Sequence, residues 1–509
     1  MTYDLVIRAS RVLTTAGFVP REVAVSGGSI VAMEPLGNDL AGAQVIQLGE
    51  DEVLLPGLVD THVHVNEPGR TDWEGFASAT RAAAAGGVTT IIDMPLNSIP
   101  PTVNTAALEA KIEATQGSRH LDVGFWGGAI PGNTADLRPL HDAGVFGFTC
   151  FLVHSGVDEF PHLDAEELEV DLRELRTYDA LMVVHAEGSR SIEHAPSPEG
   201  DQYATFLVSR PRGAENLATA EVIERARWTG ARVHILHLSS SDALPMIASA
   251  QRDGVRITAE ACPRHLALSA EDVPAGATAF KSCPPIREAG NRDKLWQGLL
   301  DGTITCIVSD HSPSTLDLKS LDTGDFWTAW GGLSSLQLGL SIIWTVARTR
   351  GIDLARVVNW MSSAPAALAL RRPHALGRRS PRCCAVRTST PRTRAAVCSG
   401  EDKHEQRSRR RRTGVRQLPG SGLAGAGFQR RRSRRRAVRP AGEPHHGPRA
   451  RVRPRRLRSQ GQGLRRVGDT ASSSTRRGSG ATTRRSFRWR RSSSTATPRW
   501  PSSSGPTGR

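Results

Sequence analysis

Five residues of this chain are of the types that hold cations or move protons, and each closes a short apolar run. They are His62 and His64 in LVDTHVHV, His185 in LMVVHAE, His237 in RVHILHLS and Asp310 in TCIVSDH. Imidazole nitrogen is the commonest side-chain ligand of transition metals, and a carboxylate can both bind a cation and accept a proton. His62 and His64 are two apart, so on a strand their side chains leave the same face. Each residue alone has a plainer reading: His-x-His by chance in an edge strand, a satisfied core histidine at 185 or 237, a helix cap at 310. Five such residues at matching positions are harder to obtain by chance. Together they predict a metal site. Strict alternation turns His234 away from His237, which predicts a structural role for it. His154, His162 and His311 are unassigned, with surface or supporting roles as the default.

The elements that must position these residues follow from hydrophobic patterning. Residues 3–50 alternate as strands (YDLVIRASRVL, REVAVSGG, SIVAMEP, QVIQLG) with Gly- and Pro-containing turns between them, so residues 1–53 read as a small N-terminal β-domain. From residue 54 the pattern changes. Apolar runs at 54–64, 88–94, 123–129, 145–153, 181–187, 232–239, 256–262 and 305–310 alternate with helical stretches at 73–85, 106–115, 165–178, 214–228, 242–251 and 291–300. Near-continuous apolar strands alternating with helices indicate a parallel sheet covered on its outside. Eight of them predict an α/β fold, a (β/α)8 TIM barrel over residues 54–370, whose C-terminal rim is where catalytic groups converge. A doubly wound open sheet is the rival, but no GxGxxG or P-loop follows any of the strands.

The formal charge of +15 suggests at first a nucleic-acid or membrane partner. Of the 66 Lys and Arg and 51 Asp and Glu, 39 and 5 fall in residues 371–509, leaving 27 and 46 in residues 1–370. An acidic protein therefore carries a basic appendage, and the globular part gives no reason to expect nucleic acid as a partner. The 7 cysteines have no CxxC spacing, and those at 150, 262, 283 and 306 sit in or beside apolar runs. Reduced thiols and a cytoplasmic address fit that usage. The N-terminus has Asp4 where a signal peptide needs a basic region, and no run approaches the length of a membrane span.

The segments GLVDTHVHVNEPGR, GGVTTIIDMPLNSIPPT, VHAE, ILHLSSSDAL, AFKSCPPIRE and CIVSDHSPST resemble those of allantoinases, members of the cyclic amidohydrolase group with dihydroorotases and hydantoinases. The resemblance runs from about residue 3 to 370. It implies two divalent metal ions of zinc type, a β-sandwich built from both chain ends, and a homo-oligomer, a tetramer by family likeness. It also implies hydrolysis of the cyclic amide of allantoin to allantoate in purine catabolism. By that resemblance His62, His64 and Asp310 hold one ion, His185 and His237 the other, and Asp310 moves the proton of the attacking water. Asn66 stands where dihydroorotases carry an Arg that grips a carboxylate, and allantoin has no carboxylate. Asn97, Cys283 and the Trp330–Gly332 loop are candidates for contacts to the ring. The alternatives are a hydantoinase- or dihydroorotase-type amidase, and a non-catalytic barrel scaffold.

Two departures from the family pattern matter. The lysine that relatives carboxylate to bridge the metals corresponds to Thr149 in GFTCFL, too short and uncharged, which predicts a loosely held metal pair and reduced turnover. A smaller change replaces the family's CPHYL by CPRHL at 262–266, bringing in Arg264 and His265. The second departure follows the ALAL segment. An Arg/Ser/Thr/Pro/Gly tract replaces the strands that would complete the sandwich, so disorder and an unpaired, aggregation-prone sheet edge are expected. A nucleic-acid-binding arm or a solvated linker could have this composition. Arginine almost without lysine fits better with a GC-rich gene read out of frame. The nucleotide sequence around codon 370 checks this: another frame should encode alternating sandwich strands, and its failure to do so counts against a frame error.

Overall fold

The structure, a computed structural model, describes residues 2–369 together with the backbone of Cys383–Arg387 and Ala395–Val397. The remainder of 371–509, with its expected disorder or frame error, lies outside the described residues.

The N-terminal strands are β1 (Tyr3–Thr14), β2 (Gly17–Ser26), β3 (Ser29–Pro35), β4 (Gly42–Gln47) and β5 (Glu52–Pro56). β1 is central: β2 pairs with it antiparallel, β4 and β5 parallel. Ile7, Ala9, Val12, Val23, Leu48 and Leu54 cluster beneath the sheet. Two expectations need correcting here. The apolar run at 54–64 is two strands, because β5 joins the N-terminal sheet and the chain passes Gly57 before the first barrel strand begins at Leu58. The β5 edge is also not left bare. The strand Cys383–Arg387 pairs antiparallel with β5, in register Ala385 to Leu54, and Ala395–Val397 pairs with it in turn. The five-residue run CCAVR is too short to stand out against the surrounding arginines.

The barrel strands are β6 (Leu58–Val63), β7 (Val88–Asp93), β8 (Asp122–Phe125), β9 (Gly127–Gly128), β10 (Phe148–Phe151), β11 (Leu181–His185), β12 (Arg232–Ile235), β13 (Ile257–Ala261) and β14 (Cys306–Ile307). Each lies within an expected run except that β8 starts one residue before its run, and all neighbours are parallel. β8 and β9 are one barrel strand interrupted at Trp126, whose amide donates to the Asp93 carbonyl (3.0 Å) and whose indole donates to the Thr61 carbonyl (2.8 Å). The cylinder closes where Val63 bridges His311 and the His64 amide donates to the His311 carbonyl at 2.8 Å. Eight strands thus close into a barrel, as predicted. β6, β7, β10 and β11 are buried at every position, which is why they read as unbroken apolar runs.

Helices cover the outside. Asp164 and Glu167 form a reciprocal capping box that starts Ala165–Arg176, and Asn104 and Asp353 cap Thr105–Ala114 and Leu354–Val358. The first barrel helix starts at Phe76, later than expected from 73–85, because Glu67 accepts from the Phe76 amide (2.8 Å) and a turn holds residues 70–73.

The helix Thr105–Ala114 sends one side chain into the barrel. Lys111, fully buried, ion-pairs with Asp93 at the end of β7 (2.6 Å) and donates to the Met94 carbonyl (2.8 Å). Asp93 in turn accepts from the Val65 amide at 2.7 Å, just past His64. Lys111→Met leaves that carboxylate buried without its partner, so we expect a loss of about 3–5 kcal/mol, read as a lowered urea midpoint at unchanged slope.

Candidate metal centre

Four of the eight barrel strands, β6, β11, β12 and β14, deliver the five expected residues at or just past their C-terminal ends to one buried place. The rings of His62 and His64 lie 5.4 Å apart, those of His62 and His237 5.3 Å, and those of His185 and His237 4.6 Å. Asp310 Oδ1 is 3.2 Å from His62 Nε2 and 3.7 Å from His64 Nε2. His237 Nε2 and His185 Nδ1 are 3.0 Å apart. Ligand atoms of His62, His237 and Asp310 all lie within 4.8 Å of one another. The five residues predicted to converge do so.

Two carboxylates that sequence reasoning missed orient these imidazoles. Glu260 on β13 sits 2.5 Å from His62 Nδ1, accepts from the His237 amide (3.1 Å), and reaches His234 Nε2 with its other oxygen (3.0 Å). Glu187 takes His185 Nε2 at 2.8 Å and is itself held by Arg210. With the Nδ1 of His62 and the Nε2 of His185 turned onto carboxylates, His62 Nε2 faces Asp310 and His185 Nδ1 faces His237, the positions from which a cation would be held. The signal for Glu260 was present: in RITAEAC, Thr258 and Glu260 share a strand face, and both meet His234.

The electrostatics suit ligation. Burial holds His64 down at about 3 and pushes His237 well below the ordinary imidazole range, with the neighbouring His62 and His185 adding to the effect, so both are neutral near pH 7. Burial works against an ionised Asp310, but Arg264, His62 and His64 outweigh it and lower its pKa. Burial also disfavours a charged His62, but Asp310 and Glu260 outweigh it and raise its pKa, so a cation there would take the place of a proton. Neutral His64 and His237 beside an ionised Asp310 are donors that fit a divalent cation of zinc type.

The remaining predicted residues are placed as follows. Thr149 is fully buried on β10, and its hydroxyl donates to Met94 Sδ at 3.3 Å. The Met94 amide pairs with Val63, between the two histidines of β6, so Thr149 lies close to the site but brings no charge. Asn66 is buried with Nδ2 3.4 Å from the Pro313 carbonyl, and its Oδ1 has no hydrogen-bond partner among the described residues. Asn97 is buried in a left-handed conformation (φ 69°), with its carbonyl accepting from Arg70. Cys283 is half-buried, with its Sγ facing Gly331. The 330–332 loop is latched beside the Asp310 strand: Lys319 donates to the Trp330 and Gly332 carbonyls, and the Ser312 amide to that of Leu333. His234 has both nitrogens hydrogen-bonded. His311 is buried against Glu74, a supporting place. Arg264, from the altered CPRHL segment, turns inward and pairs with Asp310 Oδ2.

A parallel α/β barrel with four histidines and an aspartate at its mouth defines a class of metal-dependent hydrolases. The chain belongs to the amidohydrolase family, whose profile matches residues 53–381. It is 58% identical over 366 residues to the allantoinase of Streptomyces avermitilis, covering 72% of this chain and 81% of that protein. It is 46% identical over 368 residues to the mitochondrial allantoinase of Aquarana catesbeiana, covering 71% and 75%. Among solved structures it resembles the L-hydantoinase (dihydropyrimidinase) of Arthrobacter aurescens, with TM-score 0.71, 29% identity and coverage of 75% and 86%.

Glu260→Gln keeps the shape of the side chain and removes the charge that orients His62. Affinity for added zinc should fall about 10–100-fold with the fold retained. A zinc titration with circular dichroism checks this, and unchanged affinity would leave Glu260 a purely structural residue.

Proposed function

We propose that this chain hydrolyses the cyclic amide of allantoin to allantoate. The observation that carries the reading is the convergence of His62, His64, His185, His237 and Asp310 on one buried place, in a chain 58% identical to an allantoinase. His62, His64 and Asp310 would hold one divalent ion and His185 and His237 a second, most simply zinc, as the imidazole-rich donor set favours. Bound there, the ions would lower the pKa of a water and polarise the attacked carbonyl.

The chain's own residues do the rest. Asp310 Oδ1 accepts the proton of the attacking water and returns it to the ring nitrogen as the C–N bond breaks. Phe151 stacks on His185 (4.5 Å, 13°) and fixes the ring plane. Asn66 presents its unpartnered Oδ1 to the N–H groups of an uncharged ring. Asn97, Cys283 and the Trp330–Gly332 loop complete the enclosure. The reading includes a homo-oligomer, a tetramer by likeness to the family, and a cytoplasmic address. Among the described residues no helix is long and apolar enough to cross a membrane.

Two second readings have support. Hydantoinase activity is favoured by the structural neighbour, and comparing ring opening of allantoin, hydantoin and dihydroorotate separates the enzymes. A non-catalytic barrel is favoured by Thr149, which offers no bridging anion. Thr149→Lys, assayed with added zinc and bicarbonate, should raise both bound metal and the rate of allantoate release. If both stay at the level of the unaltered chain, Thr149 is not what limits the site.

A further inference from the structure

Three buried carboxylates border the four imidazoles, and their oxygens are unequally free. Both oxygens of Glu260 are used by His62, His234 and the His237 amide, and both of Glu187 by His185 and Arg210. Asp310 alone of the three points an oxygen, Oδ1, at the Nε2 atoms of His62 and His64. Its other oxygen is taken by Arg264. Thr149 supplies no anion to add to it. A cation seated here therefore draws on one carboxylate that already has a cation of its own.

Arg264 is well placed to keep that carboxylate. It lies in the first turn of the short helix Pro263–Ala267, directly after β13, and its side chain is 3% exposed. Among the described residues Asp310 is its one ion-pair partner, and its Nε makes no hydrogen bond. A guanidinium cannot shed its proton in a protein, so the positive charge persists at every working pH. An ion binding at Asp310 must either sit beside this charge in a water-poor interior or displace it and strand it buried. Both weaken the ion.

We propose that Arg264 is a resident counter-cation of Asp310 that competes with a divalent ion for that carboxylate, so that the chain holds at most one ion tightly, at the His185–His237 end. The proposal rests on the metal-site reading above. It differs from the Thr149 argument because it assigns the weakness to a charge that is present as well as to one that is missing.

The test uses the full chain, stripped with a chelator, reloaded with zinc, desalted and analysed for zinc per chain, with affinities from competition against a chromophoric chelator. Arg264→Gln and Arg264→Met remove the charge and Arg264→Lys keeps it, with thermal melts by circular dichroism reporting the fold. The unaltered chain should retain no more than one zinc. The folded neutral variants should bind zinc roughly tenfold or more tighter at the weak step, and Arg264→Lys should stay with the unaltered chain. Two ions retained by the unaltered chain, or a folded neutral variant that binds no tighter, overturns the proposal. Should neither neutral variant fold, the stoichiometry of the unaltered chain decides. Zinc bound by none of the four chains overturns the metal-site reading itself, and zinc bound equally by all overturns only the role of Arg264.

Discussion

The site depends on one desolvated charge. Glu260 is buried, yet it is held ionised, with its pKa lowered to about 2: burial opposes this, and the charge of His62 and the hydrogen bonds of His234 and His62 outweigh the burial. Through it β6, β12 and β13 are tied at one point, because His62 comes from β6, His234 from β12, the His237 amide from just beyond β12, and Glu260 from β13. A carboxylate in such surroundings is tolerable only when fully partnered. Its partners are also what aim two of the candidate ligands. Orientation of the site and satisfaction of the barrel's polar core are the same interaction.

The pattern repeats around the cylinder. Asp60 accepts from the amides of Ser309 and His62 across the β6–β14 seam, and Asp93 accepts from Val65 while Lys111 neutralises it. Each acid fixes backbone next to a candidate ligand: His62, His64 or Asp310. The apolar shell of strands and helices contributes the favourable burial, and these matched polar groups decide where the ligands point.

What could be read from the chain follows from burial. Parallel strands covered on both faces are continuous apolar runs, so all eight barrel strands, and the ligand-type residues closing four of them, were visible in the sequence. The same continuity hid the break at Gly57, since LLPGLV reads alike whether it is one strand or two. Cys383–Arg387 was hidden for the opposite reason, a few pairing residues inside a charged tract. Glu260 escaped because the local signal, an acid sharing a strand face with Thr258, does not name its partner, and His62 is 198 residues away in sequence. Arg264 stood out as a change of residue type, but that it turns onto Asp310 is a fact of three-dimensional packing.

His234 and His237 show where simple alternation fails. Three residues apart on a straight strand, they should face opposite sides. Yet the ring of His234 and the amide of His237 meet the same carboxylate, and the ring of His237 reaches His185. β12 ends at Ile235, and His237 then takes a left-handed backbone conformation (φ 34°) that redirects its side chain. Asp310 does the same after β14 (φ 45°). For a residue with a Cβ this conformation costs on the order of 1–3 kcal/mol and persists only where surrounding bonds impose it. Here Glu260 takes the His237 amide, its carbonyl accepts from the Leu238 amide (2.9 Å), and Ser312 donates to the Asp310 carbonyl (3.2 Å). Two of the five candidate ligands thus owe their direction to strained backbone beyond the strands, so the barrel supplies the platform and these local bends aim the chemistry.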